Sequence, residues 1–437
     1  MERTKIEGFG NRQREIRTEG RRTRCLMCQS PLPGEPLLTL DGMPASAQRI
    51  PLAEELAQDQ GISLSLCQCP HCGLVQFDCV PVDYYRDVIR SGGYSTTMYA
   101  LRTAQYREFL ECCPLQGKKI LEVGCGQGEF LIPLRQFPVR AYGVEHKKDL
   151  AEIAVKQGLA VTEGFTETPD TRLGEDGPYD AFLSFNFLEH QPHPDVMLDC
   201  IYNNLAEEAY GLITVPSLEY ILQYDGYYEL IRDHIAYYTF PTLRRMLQSH
   251  GFAVLKEELV NRDTLSVIVK KVPKPATPDA GDAQAFSEEA FSGETLSGQT
   301  PAQGLIRREQ LQAFLATIDG IRAQIRALRE ETEQAHTRLA IWGASHQGFT
   351  LAATTELRDF AAYIIDSAPF KQGRFAPASH LPILSPQAAA EDPAEVILIV
   401  APGYTAEIAR SIRERFGEAV RILTLRSDRI EELTGDF

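Results

Sequence analysis

The stretch "ILEVGCGQGEF", residues 120–130, runs an apolar, strand-like segment straight into a glycine turn. Its glycines, Gly124, Gly126 and Gly128, are spaced G-x-G-x-G. The dinucleotide fingerprint places its third glycine one residue later, where this chain has Glu129. Glycines let the backbone come close to a ligand, and a following helix offers free N–H groups. A ligand without phosphate needs polar groups around it instead. Glu145, ending "RAYGVE" (140–145), is placed to accept from both hydroxyls of a ribose, and Glu122, just before the turn, to meet an ammonium group. The two acids around the turn fit S-adenosylmethionine (SAM), with Cys125 counted in the same binding turn. Taken alone, the glycines also fit a plain βα turn.

Working outward, "KKILEV" (118–123), "RAYGVE", "DAFLSF" (180–185) and "GLITVP" (211–216) read as strands. "DLAEIAVKQG" (149–158) and "PDVMLDCIYNNL" (194–205) read as helices between them. This alternation predicts a parallel sheet with crossover helices. "FAVLKEELV" (252–260) and "TLSVIVKKV" (264–272) are separated only by "NRD", which predicts an antiparallel hairpin. A parallel sheet closed by such a hairpin is the pattern of the seven-stranded, Rossmann-like SAM-methyltransferase domain. Further on, "RLAIWGAS" (338–345), "AAYIID" (361–366), "EVILIVAP" (395–402) and "RILTL" (421–425) predict a second, smaller doubly wound α/β domain. Between the two, residues 273–304 are rich in Pro, Gly, Ser and Ala, as in a linker or disordered insertion. Leu311, Phe314, Ile318, Ile321, Ile325 and Leu328 then fall on one helical stripe. The stripe either docks on its own domain or forms a dimer seam, although it is short for a coiled coil. The expected organisation is a flexible tail (1–24), a zinc-binding module (25–82), the methyltransferase domain (83–272), the linker (273–304), and a helix plus Rossmann-like substrate-binding domain (305–437).

At about 150 residues per domain, a chain of 437 residues predicts two to four domains, and 43% hydrophobic residues allow a sizeable core. The net charge of -16 argues against general nucleic-acid or anionic-membrane binding. "MERTKIEGFGNRQREIRTEGRRTR" (1–24) lacks the apolar core of a secretory signal, and no run of about 18 apolar residues predicts a membrane span. Six of the ten cysteines cluster within residues 25–80, which points to metal rather than a disulfide scaffold, and to a cytoplasmic protein.

"CLMC" holds Cys25 and Cys28, and "CPHC" holds Cys69 and Cys72. Each C-x-x-C puts two thiolates on one knuckle, and two knuckles complete a tetrahedron around zinc. Four thiolates leave no open position, so the site is expected to be structural. The gap of 40 residues between the pairs exceeds ribbon spacing and implies a small subdomain between them. Cys67 and His71 are alternative ligands, and four unrelated buried cysteines is the plainer reading. A redox pair is disfavoured because neither motif opens a helix of a thioredoxin-like unit.

"SFNFLEHQPHP" (184–194) follows a buried strand at its carboxyl end, where open α/β sheets hold ligands. It carries Glu189, His190 and His193, and Asn186 is counted with the SAM-binding residues. "YYELIRDHIAYYTFPTL" (227–243) carries Asp233 and His234. His190 and His234 are expected to converge on one crevice and share a proton transfer, with a carboxylate tuning an imidazole. Either histidine alone is also a satisfied structural group.

Together these residues resemble the zinc-bearing, SAM-dependent C-methyltransferases of deoxysugar biosynthesis. The resemblance runs through the cysteine pairs with "CGLVQ", "SGGYSTTM", "LEVGCGQGEFL", "SFNFLEH", "VPSLEYIL", "DHIAYYTFPTLRRML", "WGASHQG" and "IIDSAPFKQGRFAPASHLPI". It implies methylation of a carbon, usually C3, next to the ketone of a nucleotide-linked 4-keto-6-deoxy sugar. By that resemblance His234 is the base that forms an enolate, His190 polarises the ketone or stabilises the enolate, and Tyr94 lines the cleft. The zinc module and C-terminal domain grip the sugar nucleotide. Three positions depart from the family: Ile231 replaces a tyrosine, Asp233 a glutamate, and Gln347 a lysine. The implied partner is a nucleotide sugar, with no nucleic acid or membrane, and the chain is expected as monomer or homodimer. Two other readings stand: an O- or N-methyltransferase on the same fold, and a non-catalytic assembly subunit that binds SAM or zinc.

Overall fold

The computed structural model describes residues 21–87, 96–275, 306, 308–401 and 403–435. Three sheets order them. The first begins with β1 (Leu38–Met43), β2 (Ile62–Gln68) and β3 (Val75–Phe77). The central sheet takes β4 (Lys119–Val123), β5 (Arg140–Glu145), β6 (Ala160–Glu163), β7 (Tyr179–Phe185) and β8 (Leu205–Pro216). β9 (Ala236–Tyr237) returns to the first sheet, while β10 (Phe252–Val260) and β11 (Thr264–Lys271) complete the second.

The central sheet has the order β10-β11-β8-β7-β4-β5-β6. β4 to β8 are parallel, and β11 and β10 close the sheet antiparallel. This is the expected seven-stranded methyltransferase sheet. β6 has no apolar run to announce it, because three of its four residues are exposed at the sheet edge. β8 starts six residues before the expected "GLITVP", since its first half carries exposed glutamates. Strand order reverses between β4 and β7, so the turn after β4 and the loop after β7 open into one crevice at the carboxyl ends.

The third sheet contains β12 (Leu339–Trp342), β13 (Ala361–Ile365), β14 (Ile383–Leu384), β15 (Val396–Ile399), β16 (Arg421–Arg426) and β17 (Arg429–Glu432). Its order is β14-β13-β12-β15-β16-β17, doubly wound as expected, with β17 antiparallel at one edge. The helix Arg308–Ala335 buries Phe314, Ile318, Ile321, Ile325 and Leu328 in a core shared with Leu40 and Leu64 of the first sheet and Ile341 and Leu398 of the third. The stripe therefore faces its own chain. Each such side chain contributes about 1.5–3 kcal/mol when fully buried.

The N-terminal module is not self-contained. β9 pairs with β3, Val75 opposite Tyr237 and Gln76 opposite Ala236, so the methyltransferase segment supplies the module's fourth strand. The tail expected over 1–24 falls outside the described residues up to residue 20; Arg24 bridges Pro31, and Thr23 accepts from Leu32 at 2.9 Å. The expected linker lies outside the described residues from 276 onward. No described helix is long and apolar enough to cross a membrane.

Candidate active site

The glycine turn begins where β4 ends. Gly124, Gly126 and Gly128 all have positive φ (71°, 59° and 89°), a region that side chains with a Cβ enter at a cost of about 1–2 kcal/mol. At Gly128 a Cβ would also lie 2.1 Å from Leu159 Cδ1. Gly128→Ala is therefore expected to lower the melting temperature and weaken SAM binding. Gly158→Ala, with φ 77° but open space around it, is expected to carry only the backbone strain. Equal melting temperatures for the two variants would remove the steric part of this account.

The helix expected to follow the turn is only four residues long, Leu131–Leu134. Pro133 has no N–H to bond the carbonyl of Glu129, so the segment before it stays in turns. The backbone amides in this region therefore belong to the turn itself rather than to a long helix. Glu145, 5% exposed at the end of β5, accepts from Gly126 N at 2.8 Å and from Lys147 N at 2.9 Å. Those two amides orient the carboxylate without exhausting its roughly four acceptor positions. Glu122 is fully buried in β4. Cys125 packs its thiol into the core over Gly143, whose Cβ would lie 2.5 Å from the sulfur. Asn186 has φ 48°, and its side-chain oxygen accepts from Thr214 Oγ1 at 2.9 Å, tying the end of β7 to β8. Phe187 lays its ring against Gly124, joining the donor turn to the loop that carries the first histidine.

The structure brings the two histidines together. The rings of His190 and His234 stand edge to face, with centroids 4.7 Å apart. His190 ends a short 3-10 turn (Leu188–His190) after β7, and His234 precedes β9. His190 Nδ1 lies 2.8 Å from the backbone carbonyl of Asp233. A carbonyl only accepts, so Nδ1 carries the hydrogen and Nε2 keeps the lone pair. Burial lowers the pKa of His190 below the usual histidine value, and burial together with the neighbouring His190 and His346 pushes His234 well down.

The Asp233 carboxylate hydrogen-bonds elsewhere, although its charge raises the His190 pKa against the larger lowering by burial. It accepts from Ala47 N at 2.9 Å and from the Tyr84 hydroxyl at 2.7 Å, so it ties the histidine loop to the N-terminal module. Its backbone oxygen is what meets His190. Tyr94 lies outside the described residues. His193 is exposed at the head of the helix Pro194–Asn203, away from the pair.

Four groups around the pair have no role assigned from the sequence: Glu189, Glu229, His346 and Tyr237. Glu189 is 1% exposed, and its Oε1 lies 3.9 Å from His190 Nε2. Burial raises its pKa to about 8. Glu229 binds His346 Nε2 at 3.0 Å and accepts from Gln347 Nε2 at 2.5 Å, so Gln347 joins a polar network where the family's lysine would stand. Tyr237 offers a phenol near the departed tyrosine position, but its hydroxyl accepts from Ile231 N at 2.8 Å and donates to Ile231 O at 3.2 Å. Glutamate beside histidine in "LEH" was the available signal for Glu189. Nothing in the local sequence links residues 229 and 346.

The cysteine pairs form a cage. Cys25 and Cys72 sulfurs are 3.4 Å apart, Cys28 and Cys69 sulfurs 3.5 Å, and all four lie within 4.8 Å of one another. A zinc tetrahedron with arms of about 2.3 Å has edges of about 3.8 Å, so the donor set and spacing fit zinc. Gln29 and Gly73 follow the knuckles with positive φ (57° and 81°), and their amides return to Cys25 O at 3.1 Å and Cys69 O at 2.9 Å. Hydrogen bonding among the crowded thiols pushes Cys25 and Cys72 up and Cys28 down. Cys67 and His71 stand outside the group. The cage abuts the methyltransferase core through Leu26, Leu74, Ile235 and Tyr238.

Comparisons with known proteins match this chain in two segments. A family model described as a methyltransferase domain matches residues 97–257, and one described as a C-methyltransferase C-terminal domain matches 288–424. The C-methyltransferase NovU of Streptomyces niveus is 25% identical over 301 residues, covering 68% of this chain and 70% of that protein. The ubiquinone biosynthesis O-methyltransferase of Methylocella silvestris is 30% identical over 129 residues, covering 28% of this chain and 46% of that protein. Among solved structures, a SAM-dependent methyltransferase from Aquifex aeolicus is 18% identical with a TM-score of 0.33, covering 41% of this chain and 95% of that one. The magnesium protoporphyrin IX methyltransferase of Synechocystis PCC 6803, solved with bound SAH, is 15% identical with a TM-score of 0.34, covering 43% of this chain and 90% of that one. With its seven-stranded sheet, glycine turn and matched domains, the chain is a SAM-dependent methyltransferase that carries a C-methyltransferase C-terminal domain.

Proposed function

We propose that the chain is a C-methyltransferase that methylates the carbon next to the ketone of a nucleotide-linked keto-deoxysugar. The observation that carries this reading is the pair His190 and His234, ring centroids 4.7 Å apart, with His190 on a loop packed against the glycine turn. The likeness to the C-methyltransferase NovU supports it. When bound, SAM supplies an electrophilic methyl on a sulfonium. Glu145, Glu122 and the turn of Gly124, Gly126 and Gly128 hold that donor, with Asn186 at the adjoining strand end and Cys125 packing the turn from behind.

His234 removes the proton that the neighbouring ketone has acidified, leaving an enolate whose carbon is the nucleophile. His190, with Nδ1 committed to the Asp233 carbonyl, offers a lone pair at Nε2. In its neutral form it accepts rather than donates, so polarising the ketone oxygen requires a second proton on His190. His234 passes on the abstracted proton only after abstraction, so His190, then carrying it at Nε2, stabilises the enolate oxygen rather than polarising the ketone beforehand. Asp233 is a positioning residue, and the cleft role that the resemblance gives Tyr94 falls outside the described residues. The zinc module anchors the loop that holds Asp233 and His234. The C-terminal domain presents Glu229-bound His346 and Gln347 to the substrate side.

The test is a panel of dTDP-, CDP- and GDP-linked 4-keto sugars incubated with SAM in heavy water and read by mass spectrometry. A mass gain of one methyl on carbon, with deuterium entering the carbon alpha to the ketone when donor is withheld, is the expected result. Methyl transfer with no deuterium ever entering that carbon would overturn the enolate mechanism. A methyl found on oxygen or nitrogen would replace the reading by an O- or N-methyltransferase.

A further inference from the structure

The thiolate cage is one of two places where the described residues converge metal-binding atoms. The other is Glu189, His190 and His234, whose ligand atoms all lie within 4.8 Å of one another. Here the donors are one carboxylate and two imidazoles. Glu189 is 1% exposed, and neither of its carboxylate oxygens has a hydrogen-bond partner among the described residues. A buried carboxylate in that state lacks the compensation that burial of a polar group demands, and a cation supplies it. His190 already has the outer contact typical of a metal-bound histidine. Its Nδ1–H is fixed on the Asp233 carbonyl at 2.8 Å, which aims the Nε2 lone pair toward Glu189 Oε1 at 3.9 Å. His234 is less buried than the other two and opens the group to the cleft.

We infer that Glu189, His190 and His234 form a second divalent-metal site, distinct from the thiolate cage, whose occupancy switches off methyl transfer. Two imidazoles and one carboxylate select a first-row transition dication over magnesium or calcium, which prefer all-oxygen shells. Arms of about 2.0–2.2 Å place donors about 3–3.5 Å apart, so the three side chains close in by about an ångström. Three protein ligands leave positions open toward the cleft. An ion held there uses the lone pairs that His234 and His190 otherwise offer to a proton. The silencing rests on the histidine-base reading above; the binding does not.

The test uses the full chain with its cage zinc in place and cobalt(II) as probe. Equilibrium dialysis counts metal per chain, and methyl transfer is measured in parallel. The expected result is one cobalt equivalent beyond the cage zinc, with transfer falling as that equivalent fills and returning on mild chelation. Glu189→Gln and His234→Ala, on separate loops, are each expected to weaken the second equivalent by at least about 10–100-fold while keeping the first. No second equivalent in the wild type, or one that both variants retain at wild-type affinity, overturns the site. Transfer that is unchanged or raised at saturation overturns the silencing. Because dialysis does not depend on substrate, a failed substrate panel leaves the binding result interpretable.

Discussion

Replacing His234 by alanine is expected to lower turnover by about 10²–10⁴, the range of a positioned general base, while SAM affinity stays near that of the wild type. The two effects separate because the residues proposed to hold the donor and the residue proposed to take the proton sit on different elements. Glu145 ends β5 and the glycine turn follows β4, whereas His234 lies on the loop before β9. The backbone at 234 is held by its own amide on Ile231 O at 3.1 Å, a contact that alanine keeps. Single-turnover transfer and calorimetric SAM binding measure the two quantities. Turnover like that of the wild type would remove His234 from the mechanism, and a parallel loss of SAM binding would show that the substitution disturbs more than the base.

Stripping zinc is expected to have the largest effect on the fold. Structural zinc contributes about 10–16 kcal/mol of apparent binding energy, comparable with the entire stability of a typical domain. Without it the module is expected to melt rather than loosen. The loss travels further than the cysteines, because β3 of the module pairs with β9 and Asp233 is anchored on Ala47 and Tyr84. Chelation, or Cys72→Ser, should therefore erase hydrogen-exchange protection in 38–43, 62–68, 75–77 and 236–237, while β4, β5 and β7 keep theirs. Methyl transfer should fall in step, although no cysteine of the cage lies among the histidines. Freshly purified protein without zinc, or protection at 236–237 that survives chelation, would sink this coupling.

How much was legible beforehand follows from how local each signal is. The glycine turn, Glu145 and the terminal hairpin are written in short windows, since a left-handed turn, a strand end and a three-residue link each need particular residues at fixed offsets. The cysteine knuckles are local in the same way. β6 and the first half of β8 escaped notice because exposed edge strands need no apolar run. The long helix stripe was visible as a stripe, but its direction was not, because the residues that cover it come from two distant sheets.

By itself, then, the sequence determined the methyltransferase sheet, the donor turn, the four sulfur donors and the two histidines as candidates. Tertiary structure alone decided that β9 crosses into the N-terminal sheet, that the Asp233 backbone rather than its carboxylate holds His190, and that Glu189 is sealed beside the pair. The division has a physical cause. Turn chemistry and metal knuckles depend on backbone torsions and donors a few residues apart, whereas burial of a carboxylate and the partner of a ring nitrogen depend on segments brought together only when the core closes.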